Sequence, residues 1–149
     1  MMQNRNGILA ALLGTACGLA VFTFLYARGP SYLFDDPVVC TNCHVMRAEY
    51  DSWNRSSHKA AAACNACHTP HDVAGKYAVK ALNGWNHGFA FTTGRYPDPI
   101  VIRGLNERIA ADNCRRCHEG LVSRMTMLYD RREIDCTACH GNVGHMARL

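Results

Sequence analysis

Cys40-Thr41-Asn42-Cys43-His44 is the first of four runs of one form, followed by Cys64-Asn65-Ala66-Cys67-His68, Cys114-Arg115-Arg116-Cys117-His118 and Cys136-Thr137-Ala138-Cys139-His140. Each run reads as a covalent attachment site for a c-type haem. Two thiols add to the vinyl groups of the porphyrin, and a histidine directly after the second thiol is placed to reach the iron from one face. Four-cysteine zinc sites also use paired Cys-x-x-Cys knuckles, but they do not require a histidine after every second cysteine. Disulfides and redox pairs leave those histidines equally unexplained. The remaining cysteine, Cys17, lies in an apolar run and reads as a small hydrophobe.

That apolar run, residues 8–27, carries no charge. At helical rise it covers a bilayer hydrocarbon core of about 30 Å. Gly7, Gly14 and Gly18 are tolerated in a membrane helix. No small-residue cleavage site closes the run, and Tyr26, Arg28, Tyr32 and Phe34 form an interfacial belt with a snorkelling cation. The reading is an uncleaved signal-anchor rather than a removed signal peptide. Arg5 and Arg28 flank the run and orient it only weakly. Covalent haem attachment in bacteria takes place outside the cytoplasm, so residues 1–7 are expected to be a cytoplasmic tail. Residues 28–149 are then a periplasmic domain, held to the inner membrane by a single pass.

Roughly 120 residues are left for four haems, about 30 each, too few for an ordinary protein core. The porphyrins must supply much of the buried apolar surface. The formal charge of +4 is more economically explained by partners for haem propionates than by a nucleic-acid footprint. No nucleic-acid partner is expected.

The motifs fall into two pairs, which suggests a duplicated two-haem unit. Residues 28–71 would hold the first two haems, 72–113 an insert and 114–149 the last two. The expected fold is mainly α with much irregular structure: one transmembrane helix and a compact multihaem domain. Residues 46–58 and 121–132 read as short linking helices. Asp72 reads as the N-cap of a helix running to about Leu82, where Asn83-Gly84 supplies a stop signal. Lys76, Lys80, Asn83 and His87 share a polar face if helical geometry persists past Gly84. Trp85, Phe89 and Phe91 beside that face suggest a membrane-surface segment, against the plainer reading of a solvated lysine face with aromatics on haem. Residues 94–99 are turn-rich and read as loop.

Four irons offer eight axial positions, and the chain holds eight histidines. Four follow the thiols, leaving His58, His71, His87 and His145. Simple counting makes every haem bis-histidine. Met46, two residues beyond His44, upsets the count, because a thioether ligand there would raise the potential of the first haem. Chemistry alone leaves that choice open.

With the amino-terminal anchor, the runs CTNCHVM at 40–46, CNACHTPH at 64–71 and CTACHGNVGHM at 136–146 resemble the NapC/NirT/NrfH family of membrane-anchored tetrahaem quinol dehydrogenases. The compact length most resembles the branch that forms the small subunit of cytochrome c nitrite reductase, and the resemblance covers essentially the whole chain. It implies four covalently bound haem c groups, held by Cys40, Cys43, Cys64, Cys67, Cys114, Cys117, Cys136 and Cys139. It implies that Met46, rather than His44, binds the first iron, and that His68 binds the second, whose other face takes a lysine from the catalytic partner subunit. His118 with His145 would bind the third iron and His140 with His58 the fourth. Lys80 falls where the family carries a lysine at the quinol pocket. His87 departs from the aspartate that the family can carry beside the first haem: it can bind that iron, or stay off it and accept a quinol proton. His71 is left as a structural histidine.

The implied function is oxidation of a membrane quinol, menaquinol, at the boundary of anchor and haem domain. Lys80 and His87 would act on the quinol, and electrons would go to a periplasmic pentahaem nitrite reductase that forms ammonium. The chain would be the quinol-oxidising electron-transfer subunit, without a nitrite-reducing site of its own. Two alternatives stay open at this stage: delivery to periplasmic nitrate reductase or another terminal enzyme, and an anchored cytochrome without a quinol site.

Overall fold

The structure is a computed structural model and describes residues 2–102, 104–125, 130 and 134–145. Those residues form helices and turns with no strand among them. The chain divides into two compact units, Met1–Phe34 and Asp35–Leu149.

The first unit is built on helix α1 (Met2–Tyr26). Its stretch Arg5–Tyr26, 22 residues, is long and apolar enough to cross a membrane, and at about 1.5 Å per residue it spans roughly 33 Å. Apolar side chains surround it on every side, so it has no face that prefers a protein core. Phe22 and Tyr26 stack one turn apart, ring centres 5.8 Å from each other. The helix ends where Arg28 takes a left-handed conformation (φ 54°). Gly29 and Pro30 then open a 3-10 turn, Gly29–Leu33. A side chain at Gly29 would meet the ring of Phe24, which would have to turn aside.

The second unit begins with a 3-10 turn, Pro37–Asn42, capped by the Asp36 carboxylate on the Val38 amide. A shorter turn, His44–Met46, leads into α2 (Arg47–Asn54). That helix stops earlier than the expected 46–58, and Trp53 Nε1 donates to the Ala62 carbonyl (2.9 Å), folding the following turns back on it. Next come α3 (Cys64–His68), α4 (Val73–Thr93), α5 (Gly104–Cys117), α6 (Glu119–Met125) and α7 (Cys136–Cys139). Beyond Met125, most of the linking helix expected at 121–132 lies outside the described residues.

Helix α4 departs most from expectation. Asp72 caps it, accepting from the Gly75 amide at 2.7 Å, but Asn83-Gly84 does not stop it. The Asn83 amide is buried in a reciprocal pair with Asn106 of α5 (3.1 and 3.0 Å). A side chain committed there no longer competes for its own backbone, and the helix runs on. It ends at Gly94, whose φ of 66° forms the left-handed cap. The loop expected at 94–99 follows. Helix α5 has no counterpart in the sequence reading, although Ile109 and Asn113 of its buried side stand one turn apart.

Among the described residues the buried apolar side chains are Val79, Ile109 and Val122, whereas Ser52, Thr69, Lys80, Asn83 and Asn113 are buried polar ones. Most buried polar groups are hydrogen-bonded. Asn113 Nδ2 donates to the carbonyls of Cys67 and Thr69, both at 2.9 Å, tying α5 to the end of α3. Such ties connect the short helices of this unit.

Candidate haem and quinol site

Each Cys-x-x-Cys-His run sits on a short helix or tight turn. The first occupies the turns around Pro37–Asn42 and His44–Met46, the second is α3, the third closes α5, and the fourth is α7 with His140. The runs follow one another in space as they do in sequence. The thiols of Cys40 and Cys64 share a hydrogen bond, which lowers Cys40 to about 7 and, with burial, pushes Cys64 up. Burial raises Cys67, which also feels Cys114 and Cys117; burial raises Cys114, which feels Cys136. Among the described residues no group of three His, Cys, Asp or Glu side chains converges as a zinc ion would need.

The histidines outside the motifs behave in two ways. His58 turns Nδ1 to the Val143 carbonyl (3.0 Å), and His145 turns Nδ1 to the Glu49 carbonyl (3.2 Å), with the Glu49 carboxylate at 3.3 Å. Anchoring Nδ1 on a carbonyl is how proteins orient an imidazole whose Nε2 binds a metal. His71 is different: Arg116 Nη2 lies 2.6 Å from its Nε2, occupying the atom that a ligand would use.

Two ring pairs are brought close, His58 with His118 (centres 6.1 Å) and His68 with His145 (6.0 Å). The resemblance, in contrast, sets His58 opposite His140 and His145 opposite His118. In this structure each of the two incoming histidines stands one motif earlier than that. His140 is exposed, and its backbone N–H bonds to the Cys136 carbonyl. His68 is held neutral, at about 4, by burial and then by the neighbouring His145 and His87.

Beside the first motif runs α4. Lys80 is almost wholly buried, its side chain 4% exposed, and its ammonium lies 2.9 Å from Asp35 Oδ1. Its charge is felt at Cys40. Two turns on is His87, which keeps solvent access, yet crowding around the ring lowers its pKa by desolvation. One further turn brings Phe91 edge-on to His44, centres 6.1 Å apart. A single helix thus carries Lys80 and Phe91 to opposite ends of the first haem motif, with His87 between them along its axis. Met46 is half-buried and His44 exposed.

The NapC/NirT cytochrome c family model, N-terminal region, matches residues 2–148. The chain belongs to the NapC/NirT cytochrome c family. Membership agrees with the motifs, the helical fold and the anchor-like α1. A cytochrome c-type protein NrfH of Wolinella succinogenes is 36% identical, covering 97% of this chain and 89% of the relative. The cytochrome c nitrite reductase subunit NrfH of Nitratidesulfovibrio vulgaris is 31% identical over the same shares. Among solved structures, a cytochrome c nitrite reductase NrfHA complex bound to the HQNO inhibitor matches with a TM-score of 0.62 and 28% identity, covering 91% of this chain and 90% of that one.

The residues of this NapC/NirT chain fit haem c. The thiols and histidines are present in each motif, and carbonyl-anchored imidazoles approach two of them. Arg115, inside the third motif, has a buried Nε without a hydrogen-bond partner, a donor that a propionate would satisfy. Sequence reasoning missed Asp35, Glu49 and Asn113, the groups that hold these side chains in place. Their partners lie 30 to 96 positions away in sequence, and no local pattern marks them.

Proposed function

We propose that this chain is a membrane-anchored tetrahaem cytochrome c that oxidises menaquinol and passes the electrons to a periplasmic pentahaem nitrite reductase that forms ammonium. The observation that carries the reading is the likeness to NrfH proteins over nearly the full chain, joined to the placement of Lys80 on α4 beside the first haem motif. An inhibitor-bound NrfHA complex among the structural matches supports both the partner and a ligand of quinol type.

Quinol oxidation breaks two O–H bonds and releases two electrons and two protons. Haem c, when bound through the eight motif cysteines, supplies one-electron redox chemistry. The chain's own residues do the rest. Met46 or His44 at the first motif, His68 at the second, His118 at the third and His140 at the fourth would hold the haem irons, with His58 and His145 as the further histidines brought to them. A lysine of the partner subunit would complete the second. Lys80 donates to a quinol oxygen, and His87 either takes a quinol proton or binds the first iron. Residues 28–149 face the periplasm, so both protons leave on that side.

The test uses full-length protein in proteoliposomes. Menaquinol should reduce it, HQNO should inhibit that reduction, and Lys80→Gln should slow it at least tenfold while the dithionite-reduced spectrum stays unchanged. Normal rates in both Lys80→Gln and His87→Ala would remove the quinol site from this chain.

A further inference from the structure

Lys80 is held by a partner of its own. Asp35 Oδ1 accepts from Lys80 at 2.9 Å and from Asn65 Nδ2 at 2.8 Å, while Oδ2 binds the Lys76 ammonium. One carboxylate therefore joins three parts of the haem unit: the approach to the first motif, the second motif and α4. Its surroundings are asymmetric. On one side Lys80 is buried, and on the other Asp35 is half-exposed and Lys76 a quarter exposed. Asp35 and Lys76, with Asn65, Thr69 and His71, line a cleft of about 210 Å³.

We propose that Asp35 is a positioning residue for quinol binding: it keeps the buried Lys80 charged and aims its ammonium, so that Lys80 acts as a hydrogen-bond donor to the quinol oxygen and not as a base. This rests on the quinol-site reading above. The reason is desolvation. A buried ammonium without a counter-charge is driven to lose its proton. A neutral amine would donate more weakly to a quinol oxygen and could accept the hydroxyl proton, whereas the ammonium can only donate. Asn65 fixes the carboxylate, and Lys76 balances its second oxygen at the solvent side. In this arrangement Lys80 serves as a donor, and the quinol proton goes to another group.

HQNO binding to the full-length haem-loaded chain, followed by fluorescence quenching, tests this without relying on turnover. Lys80→Gln should weaken HQNO at least tenfold, Asp35→Asn should come within a few-fold of that loss, and Asp35→Glu should regain most of it. The double variant should bind no worse than Lys80→Gln alone, because Asp35 acts through Lys80. Wild-type affinity in Asp35→Asn, with Lys80→Gln impaired, overturns the inference and leaves the quinol site standing. Additive losses in the double variant also overturn it. Wild-type affinity in Lys80→Gln overturns the quinol-site reading itself. If Asp35→Asn does not incorporate haem, Asn65→Ala carries the test, since it frees the carboxylate but alters no charge. A severalfold loss of HQNO affinity is expected there, and wild-type affinity would overturn the proposal.

Discussion

The two long helices, α1 and α4, are of similar length, 25 and 21 residues, and are stabilised by opposite means. Helix α1 is apolar on all sides and draws its environment from its composition, which suits lipid. Helix α4 holds a buried lysine, a buried asparagine pair and exposed aromatics such as Trp85 and Phe89. Its course depends on partners supplied by Asp35 and Asn106. A helix of the first kind can be moved or substituted along its length with little consequence as long as it stays apolar. One of the second kind is specified position by position, and it is the one that carries candidate chemistry.

The sharpest way to break this comparison is to give α1 a polar requirement. Ala16→Asp places a charge near its centre at a cost of about 3 kcal/mol. Carbonate extraction should move a substantial share of the protein out of the membrane fraction; full retention would show that α1 does not rely on its composition. The reciprocal change in α4 is Asn83→Ala, which strands the Asn106 amide. It should lower stability by about 1–3 kcal/mol in urea unfolding followed by haem absorbance. A loss below that range would mean that Gly84 is carried through the helix by something other than the amide pair.

Acid should act on α4 and not on α1. Lys76 first, then Lys80, hold the Asp35 carboxyl down at about 2, against an ordinary 3.8. A depressed carboxyl contributes stability that is complete above the ordinary value and disappears as pH falls through the depressed one. The loss should therefore occur between about pH 4 and pH 2. Half-exposure of Asp35 reduces it to about 1 kcal/mol. Asp35→Asn should flatten that part of the stability profile, and an unchanged profile would show that the pair is screened. The smallest effect is expected at Leu12→Ala, on the exposed surface of α1, where stability should move by less than about 0.5 kcal/mol.

Much of the molecule is legible in its residues. The anchor, the four haem motifs, the N-cap at Asp72 and the loop after Gly94 all rest on neighbours within a few positions, where covalent geometry and backbone hydrogen bonding act. Helix α5 was not legible, because its signal is a modest periodicity in a segment lying between stronger ones. The stop expected at Asn83-Gly84 failed because the asparagine found a tertiary partner. The separate role of His71 among the non-motif histidines follows from the family resemblance alone, and its contact with Arg116 is a tertiary one.

The sequence by itself determined the cofactor class, the number of attachment motifs and the membrane-suited helix, since thiol spacing and apolar length are local properties. Only the tertiary structure decided which histidines stand beside which motif, that Lys80 is buried against Asp35, and that α4 runs unbroken past Gly84. Those outcomes depend on desolvation and on pairing between groups far apart in the chain. A buried charge or amide is stable only with its partner, and that partner exists only once the chain has folded.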